Sequence, residues 1–304
     1  MGEPIFGAFR SVTGEMLEKC LWPADGEAKG IVQFVHGMAE HIRRYDWAAR
    51  QLNRAGYTVV GHTHLGHGEA APIKGYFADQ GGWDAVLADT HTLRQDTQSD
   101  LPHLPYFLLG HSMGSFVARC YALVYCEGLR GLIISGTGHF AKPIVTAGSA
   151  IAAVQCLFGG AKKPSMLLHN MNFAANNKTV PSPRTDSDWL TRDDSQVDLY
   201  RADPLCGFPF TAKAYADMFD GLKRLYPDKL SALPAELPIY MFSGDSDPVG
   251  AMGKGVQRVH DELRTAGAEN LTLRLYPGGR HEMFNEINRD EVIGDLVAWL
   301  DGQL

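Results

Sequence analysis

The most informative stretch of this 304-residue chain is Gly110-His111-Ser112-Met113-Gly114. An apolar run of strand length, Tyr106–Leu109, precedes it, and a helical pattern, Ser115–Tyr125, follows it. A G-x-S-x-G segment between a strand and a helix is a nucleophile elbow, a sharp turn that exposes the serine hydroxyl above a sheet. Glycines flank the turn because neighbouring backbone passes too close for a β-carbon. The stretch therefore predicts a reactive serine, Ser112, at the end of a buried strand.

Apolar runs of strand length alternate with helical patterns on both sides of this stretch. Such alternation is typical of βα units around a mostly parallel sheet, and the crowding of Val and Ile indicates strands that are covered on both faces. The predicted strands are Gly30–Val35, Tyr57–Gly61, Tyr106–Gly110, Gly131–Ser135, Ile239–Ser243 and Leu271–Tyr276. The predicted helices are Trp47–Ala55, Trp83–Thr97, Gly114–Tyr125, Gly253–Ala266 and Glu291–Leu300.

The regular alternation stops after Gly138 and resumes near Leu237. We interpret the intervening stretch as a helical cap inserted between two strands of one sheet. The predicted organisation is a core formed by residues 1–138 and 234–304, with a cap at 139–233. A cap that crosses the sheet edge would cover the site and line a pocket. The candidate pocket residues are Ile151, Val154, Phe158 and Leu167.

Composition and charge narrow the class of protein. Hydrophobic residues make up 45% of the chain and charged residues 21%, as in globular domains. The net charge of −7 repels nucleic acid, so no nucleic-acid partner is expected. The five scattered cysteines lack C-x-x-C spacing, which favours reduced thiols in the cytoplasm over a disulfide framework or a zinc site. No secretory signal is expected in Met1–Arg10, because an apolar stretch behind basic residues is not seen there.

A serine hydroxyl becomes a good nucleophile only when a base takes its proton and an acid orients that base. On a sheet of this kind the expected chain order is nucleophile, acid, base. Asp245 and Asp247 follow the fifth predicted strand, and His281 follows the sixth. Asp247 lies further into its loop and is better placed to reach a histidine, whereas Asp245 is expected to bond local backbone. The predicted catalytic residues are therefore Ser112, Asp247 and His281.

The negative charge that develops on an attacked carbonyl oxygen needs backbone N–H donors. One donor is expected from the residue after the nucleophile, Met113. The other is expected from the loop after an early strand. Gly30–Val35 leads directly into His36-Gly37-Met38, which indicates Met38 as the second donor.

Several motifs together resemble one known family. His36–Tyr45 reads H-G-M-A-E-H-I-R-R-Y, which is similar to the H-G-x-x-E-H-x-x-R-Y segment of the monoacylglycerol lipase and lysophospholipase group of α/β-hydrolases. Gly110–Gly114 resembles that group's G-H-S-M-G, and Tyr276–Glu282 resembles its histidine loop. The chain departs from the group at Thr63, where Asp usually begins a D-x-x-G-H-G segment.

The resemblance implies an α/β-hydrolase fold, with a mostly parallel central sheet flanked by helices and a helical cap. It also implies serine-dependent hydrolysis of a monoacyl lipid ester, such as a monoacylglycerol or lysophospholipid, through an acyl-enzyme and without a cofactor. The expected partner is thus a small-molecule lipid ester. As a hypothesis, the apolar cap segment Pro143–Ala161 touches a membrane surface transiently; its polar residues and glycines make it a poor bilayer span.

Other interpretations of the same residues remain open at this stage. An aminopeptidase or an acyltransferase could use the same scaffold, and a non-catalytic ligand receptor on this fold would be a protein of a different class. The spacing of His62, His64 and His67 could suggest a metal site, but no carboxylate completes the ligand set, so no metal is expected. Glu40 and Arg44, four residues apart, are interpreted as a local ion pair.

Overall fold

A computed structural model describes residues 2–304, which form an eight-stranded sheet with the strand order β1-β2-β4-β3-β5-β6-β7-β8. The first two strands are antiparallel, and β3 to β8 run parallel to one another. The strands are β1 (Ile5–Arg10), β2 (Met16–Trp22), β3 (Gly30–Val35), β4 (Tyr57–His62), β5 (Tyr106–His111), β6 (Leu129–Ser135), β7 (Ile239–Gly244) and β8 (Leu271–Tyr276).

Nine helices pack around the sheet or form the segment between β6 and β7 in the described part of the chain. They are α1 (Asp46–Arg54), α2 (Gly82–Asp100), α3 (Met113–Tyr125), α4 (Lys142–Gln155), α5 (Met166–Phe173), α6 (Asp194–Ala202), α7 (Ala212–Lys223), α8 (Lys254–Thr265) and α9 (Arg289–Asp301). The predicted fold class, a mostly parallel sheet flanked by helices, is confirmed. The predicted parallel strands and helices of the core are all present, with ends that differ by up to three residues.

Sequence analysis missed the antiparallel hairpin of β1 and β2. Five of the six residues of β1 are exposed, and β2 alternates buried with partly exposed positions. An edge strand of this kind carries no continuous apolar run, and the run was the signal by which the buried strands were recognised. The hairpin extends the sheet through β2, which pairs with β4.

The sheet separates two apolar layers, and alternation along β5 shows how. Phe107 and Leu109 face the layer that contains α1 and α9, whereas Leu108 faces the layer that contains α2, α3 and α8. All three side chains are fully buried, as expected for a central strand covered on both faces. The carboxyl ends of the parallel strands therefore share one edge of the sheet, where ligands bind in open α/β folds.

Helices α4 to α7 lie between β6 and β7 and are tied to loops of the core. The Gly207 N–H donates to the Ala39 carbonyl (2.9 Å), and the Thr211 N–H donates to the Gly75 carbonyl (2.8 Å). The Thr211 hydroxyl also accepts from the Ala214 N–H and so caps α7. These contacts place the inserted helices against the same sheet edge that carries Ser112.

The helical segment Lys142–Gly160 is long and apolar enough to cross a membrane by length and composition alone. Only 17% of its apolar window is buried. It combines α4 with a following irregular turn that contains Phe158 and Gly159 in non-helical conformations. Length and composition alone are weak evidence for a membrane-spanning helix. The distinctive feature of this segment is that most of its apolar surface faces solvent.

Candidate active site

The turn at Ser112 has the backbone geometry that its sequence predicts. Ser112 has φ 53° and ψ −121°, a conformation that costs an L-residue on the order of 1–3 kcal/mol. A β-carbon on Gly110 would lie 2.1 Å from the Gly114 carbonyl oxygen, and one on Gly114 would lie 2.0 Å from the Val35 carbonyl oxygen. Both positions therefore require glycine, and the close packing of β3, β5 and α3 maintains the strained serine between them.

Ser112, His281 and Asp247 lie in one chain of hydrogen bonds. Ser112 Oγ is 2.9 Å from His281 Nε2, and His281 Nδ1 is 2.9 Å from Asp247 Oδ2. The Asp247 carboxylate also accepts from the Ser243 hydroxyl (3.1 Å) and from the Val249 N–H (2.9 Å). Asp247 and His281 are buried, so the orientation of the imidazole is fixed. The structure thus brings together the three side chains that were predicted to act as one unit.

The neighbouring carboxylate, Asp245, has a different setting. It is exposed, and its Oδ1 accepts from the Gly278 N–H (2.7 Å) and from the Ser246 hydroxyl (3.0 Å). These bonds join the loops after β7 and β8 but do not involve the imidazole of His281. Asp245 therefore bonds the backbone of the neighbouring loop and not local backbone as expected, and it provides a matched control for Asp247.

The two predicted oxyanion donors lie beside Ser112. Met38 and Met113 line the same cavity as the serine. On either side of Met38, the Gly37 N–H donates to Glu40 Oε1 (2.6 Å) and the Ala39 N–H donates to His67 Nε2 (3.1 Å). The Met38 N–H has no acceptor within residues 2–304. Met113 is the first residue of α3, and amides of a first helical turn have no intrahelical acceptor.

A buried ion-pair network supports the loop that carries Met38. Arg44 donates to Glu40 Oε2 (2.6 Å) and, through two parallel bonds of 2.8 and 2.7 Å, to the Glu282 carboxylate. Burial raises the pKa of Glu282, but the charge and hydrogen bonds of Arg44 outweigh burial and hold that pKa at about 2. Glu40 and Arg44, which were interpreted as a local ion pair, therefore belong to a network that includes Glu282, the residue after His281. Sequence analysis assigned no role to Glu282, although its position directly after His281 was a signal that it lies near the site.

Four buried histidines hold the backbone near the Met38 loop. His36 Nε2 accepts from the His64 N–H (3.0 Å), and His67 Nδ1 donates to the Leu65 carbonyl (2.9 Å). Burial lowers the pKa of His62 to about 3 and that of His67 to about 4, so both rings are neutral near pH 7. The rings of His36, His64 and His67 bond backbone groups, and His62 Nε2 bonds His64 Nδ1 (3.2 Å), which supports a structural role.

One other group of side chains combines residue types that bind metals. His41, Asp203 and Cys206 each place one potential ligand atom within 4.8 Å of the others. His41 Nε2 and Asp203 Oδ2 are 2.7 Å apart and so share a direct hydrogen bond. Burial raises the pKa of the Cys206 thiol, which disfavours the thiolate that a metal would require. These contacts fit a polar pair between the inserted helices and the core.

Thr63 stands where the resembling group has aspartate. Its hydroxyl lies 3.4 Å from the Ile42 N–H and 3.3 Å from Glu18 Oε2. The hydroxyl can accept from the amide and donate to the carboxylate at the same time. Glu18, on β2, therefore supplies a carboxylate to this loop by way of Thr63.

Two cavities share Met38 and Phe173 in their linings, and Ser112 lines the first of them. The first has a volume of about 270 Å³, and the second has a volume of about 360 Å³. Apolar side chains dominate the first, and they include Phe116, Ile144, Val145, Leu168, Met218 and Phe219. The second carries hydrogen-bonding side chains, namely His169, Asn170, Asn177, Asp186, Ser187 and Tyr200.

The structure corrects the predicted pocket residues. Ile151, Val154, Phe158 and Leu167 are absent from the lining of the apolar cavity. Ile151 packs against the core, and the other three side chains are exposed, Phe158 to 86%. Phe158 lies in the turn after α4, and Leu167 lies on α5. Ile151 and Val154 lie on α4, which is apolar around most of its circumference, so periodicity could not select the face of α4 that points inward. That face carries Val145 and Gly148 instead.

The environment of His281 sets the expected pH dependence. Burial lowers the pKa of His281, but the Asp247 carboxylate and its hydrogen bond, aided by Glu282 and Glu40, raise it above the ordinary value of 6.5. A general base must be neutral, so kcat/KM is expected to fall as pH drops through this raised value. A profile of kcat/KM between pH 5 and 9 checks this, and a midpoint of the acid limb below 6.5 would contradict it.

Comparison with known proteins places the chain in a family. Residues 26–288 match the family described as Serine aminopeptidase, S33. The chain is 29% identical to the monoacylglycerol lipase of Mycolicibacterium smegmatis over 300 residues, 98% of this chain and 97% of that protein. It is 27% identical to the human monoglyceride lipase over 298 residues, 94% of this chain and 87% of that protein.

Solved structures show the same relationship. A thermostable carboxyl esterase from Bacillus coagulans, crystallised with glycerol, superimposes with a TM-score of 0.92 at 30% identity, over 99% of both chains. A lipase in an open form superimposes with a TM-score of 0.86 at 27% identity, also over 99% of both chains. The chain therefore belongs to the serine aminopeptidase, S33, family of α/β-hydrolases, within its monoacylglycerol lipase-like group, and is a hydrolase of the carboxylic ester class.

Proposed function

We propose that the protein hydrolyses monoacyl lipid esters through an acyl-enzyme on Ser112. The observation that carries this proposal is an apolar cavity that opens at a serine hydrogen-bonded to a buried histidine and that shares Met38 and Phe173 with a second, more polar cavity. An ester with one long acyl chain and one small polar alcohol fits such a pair of cavities. The relatives named monoacylglycerol lipase and monoglyceride lipase support the same substrate class.

The reaction follows from the geometry of the hydrogen-bonded chain. Ser112 Oγ attacks the ester carbonyl while His281 Nε2 takes its proton, and the Asp247 carboxylate stabilises the resulting imidazolium. The N–H groups of Met38 and Met113 donate to the oxyanion. His281 then passes the proton to the departing alcohol, which leaves an acyl-Ser112 ester. Water, activated by His281, releases the fatty acid in a second addition and elimination.

The lining of the polar cavity favours a neutral alcohol. It contains amide, imidazole, hydroxyl and carboxylate groups but, among the described residues, neither Lys nor Arg. A phosphate group would need a cationic partner, which this lining does not supply, since Asp186 already pairs with Arg201 (3.3 Å) at the exposed edge of the cavity. Hydroxyl groups of glycerol can donate to Asp186 and exchange bonds with Asn170 and Asn177. Within the proposed class we therefore favour monoacylglycerol over lysophospholipid.

A substrate panel tests this function directly. We expect kcat/KM for p-nitrophenyl esters to rise from acetyl to medium acyl chains, because each added methylene buries apolar surface worth about 0.8 kcal/mol. We also expect a monoacylglycerol to exceed the lysophosphatidylglycerol of equal chain length by at least about tenfold, because the phosphate charge would lack a cationic partner in the lining. Preference for the acetyl ester would overturn the lipid assignment. Faster cleavage of aminoacyl p-nitroanilides would indicate an aminopeptidase instead.

The helices at 139–233 are proposed to act as a cap over the site. Trp189, which precedes α6, lies against the His281 ring with ring centres 5.1 Å apart. Phe140, Val145 and Phe219 enclose the cavity that opens at Ser112. Enclosure of this kind excludes water from the hydrogen-bonded chain and strengthens its electrostatic interactions.

The same cap is proposed to make transient contact with a membrane. Leu157 is 82% exposed and Phe158 is 86% exposed, and both follow α4 in a turn at the outer surface. Exposed Ile144 and Leu167 extend the apolar area. Several large apolar side chains exposed on one side of a globular fold are typical of a lipid-binding face.

Vesicle flotation tests the membrane contact. We expect the native chain to float with phosphatidylcholine vesicles and the Leu157→Ser/Phe158→Ser variant to partition at least about tenfold less, because two large side chains lose their burial in lipid. Val124→Ser is the matched control, since Val124 is 60% exposed at the end of α3, away from the cap. Equal flotation of the native chain and the double variant would contradict a contact through this turn.

A further inference from the structure

A chain of buried polar groups lies behind Ser112 and takes no part in the reaction described above. The Ser112 carbonyl oxygen accepts from the Ser115 N–H (2.8 Å) and from the Ser115 hydroxyl (2.5 Å), and that hydroxyl is 2.8 Å from the Thr137 hydroxyl. Arg119 Nη1 lies 3.5 Å from that same Thr137 hydroxyl, at the limit of a hydrogen bond. All three of these supporting side chains are at most 4% exposed. The groups therefore form a relay, Arg119–Thr137–Ser115, that ends on the Ser112 carbonyl.

The fold positions the relay from two sides. Ser115 and Arg119 are four residues apart on α3 and so lie on one face of that helix. Thr137 follows β6, directly after Gly136, where a β-carbon would lie 2.9 Å from the His111 ring and 3.2 Å from the His281 ring. The relay thus joins the helix behind the nucleophile to the loop that packs beside the base.

The carbonyl at the end of the relay belongs to the peptide that carries an oxyanion donor. The Ser112 C=O and the Met113 N–H are parts of one planar trans unit and point in opposite directions. Fixing the carbonyl therefore fixes the direction of the N–H. A hydrogen bond to the oxygen also polarises the peptide and strengthens its N–H as a donor. We infer that Ser115, Thr137 and Arg119 are positioning residues that aim and polarise the Met113 N–H toward the oxyanion.

The state of Arg119 supports this inference. No carboxylate lies within ion-pair distance of its guanidinium among residues 2–304, and its Nε has no partner there. Burial lowers the pKa of Arg119 to about 10, so the group still carries its charge near pH 7. A buried cation without a carboxylate is costly, and packing alone would be served as well by an apolar side chain. Ser115 has one hydroxyl proton and two oxygen neighbours, Ser112 O and Thr137 Oγ1, so it serves the Ser112 carbonyl only when the Thr137 hydroxyl donates to Ser115. The Arg119 charge beside Thr137 Oγ1 favours that arrangement over the one in which Ser115 donates to Thr137.

A purely structural role is the alternative, because serine near a helix start commonly bonds a carbonyl three residues back. That role predicts loss of stability without a specific loss of transition-state binding. The positioning role predicts a lower kcat, an unchanged KM and weaker binding of an oxyanion mimic. The inference rests on the proposed function, so Ser112→Ala is measured in the same series.

The test compares Thr137→Val, Ser115→Ala, their double variant and the conservative Thr137→Ser. With a p-nitrophenyl ester, we expect each single loss of a hydroxyl to lower kcat about tenfold, with KM within twofold, when rates are normalised to folded protein. The inhibition constant of an alkyl trifluoromethyl ketone is expected to rise in parallel. Thr137→Ser should retain kcat, and the double variant should lose no more than Ser115→Ala, because the relay is already interrupted.

Two results would overturn the relay. One is an unchanged kcat in Ser115→Ala and Thr137→Val with lowered melting temperatures, and the other is independent, multiplied losses in the double variant. Should Thr137→Val fail to fold, Ser115→Ala and the inhibition constant decide alone. Retained activity in Ser112→Ala would instead overturn the proposed function, so the two failures are distinguishable.

Discussion

Replacing Ser112 with alanine is expected to lower kcat for a p-nitrophenyl ester by at least about 10⁴-fold, because the acyl-enzyme can no longer form. The turn itself should persist. Gly110 and Gly114 still permit the close approach of β3, β5 and α3, and alanine at 112 meets the same positive φ as serine. Circular dichroism should therefore show a native spectrum, and stopped assays with purified protein give kcat.

Ser246→Ala is the control for this variant, because Ser246 lies at the same sheet edge and its hydroxyl bonds Asp245, not His281. It should retain native kcat. Labelling with a fluorophosphonate probe gives a second readout: the native chain and the control should be labelled, and Ser112→Ala should not. Labelling of the alanine variant at another residue, with retained turnover, would refute Ser112 as the nucleophile. A native chain that resists labelling would indicate a ligand receptor.

Asp247→Asn is expected to lower kcat about 10⁴-fold, whereas Asp245→Asn should stay within about twofold of the native chain. The two residues are two positions apart, yet only Asp247 contacts the His281 ring. An amide in place of Asp247 removes the charge that stabilises the imidazolium and allows the wrong tautomer. The comparison therefore separates orientation of the base from general effects of the loop after β7.

The pH profile of the Asp247→Asn variant gives a second test, because a loss of folding stability would not by itself shift the pH dependence of kcat/KM. The Asp247 charge is the main influence that raises the pKa of His281 against burial. Its loss should move the acid limb of residual kcat/KM toward lower pH. An acid limb that stays in place, or equal losses in the two asparagine variants, would contradict the assigned role of Asp247.

The sequence predicted those site residues whose positions depend on where the strands of the sheet end. Ser112 and Asp247 follow fully buried strands, and His281 follows the partly exposed strand β8, so their arrival at one sheet edge could be inferred from the order of the strands. The bridge from Arg44 to Glu282 could not, because its ends are 238 residues apart and only folding brings them together.

The lining of the pocket was harder to predict for a different reason. Helix α4 is apolar on most sides, so the side that faces Ser112 depends on how the helix docks against α7. Gly148 sets that docking, since a β-carbon there would lie 2.4 Å from the Phe219 ring. Sequence periodicity contains no such information.

The bonds from Gly207 to Ala39 and from Thr211 to Gly75 bear on how substrate range can evolve or be engineered in this scaffold. The inserted helices are hydrogen-bonded to the core at Ala39, the residue after Met38. Exchanging these helices without the core loops would therefore disturb the loop whose Met38 N–H is proposed to donate to the oxyanion. Chimeras that exchange the insertion together with its two anchoring loops should keep turnover while acquiring the donor's selectivity. Chimeras with crossovers at residues 139 and 233 alone would lose these hydrogen bonds between the inserted helices and the core loops.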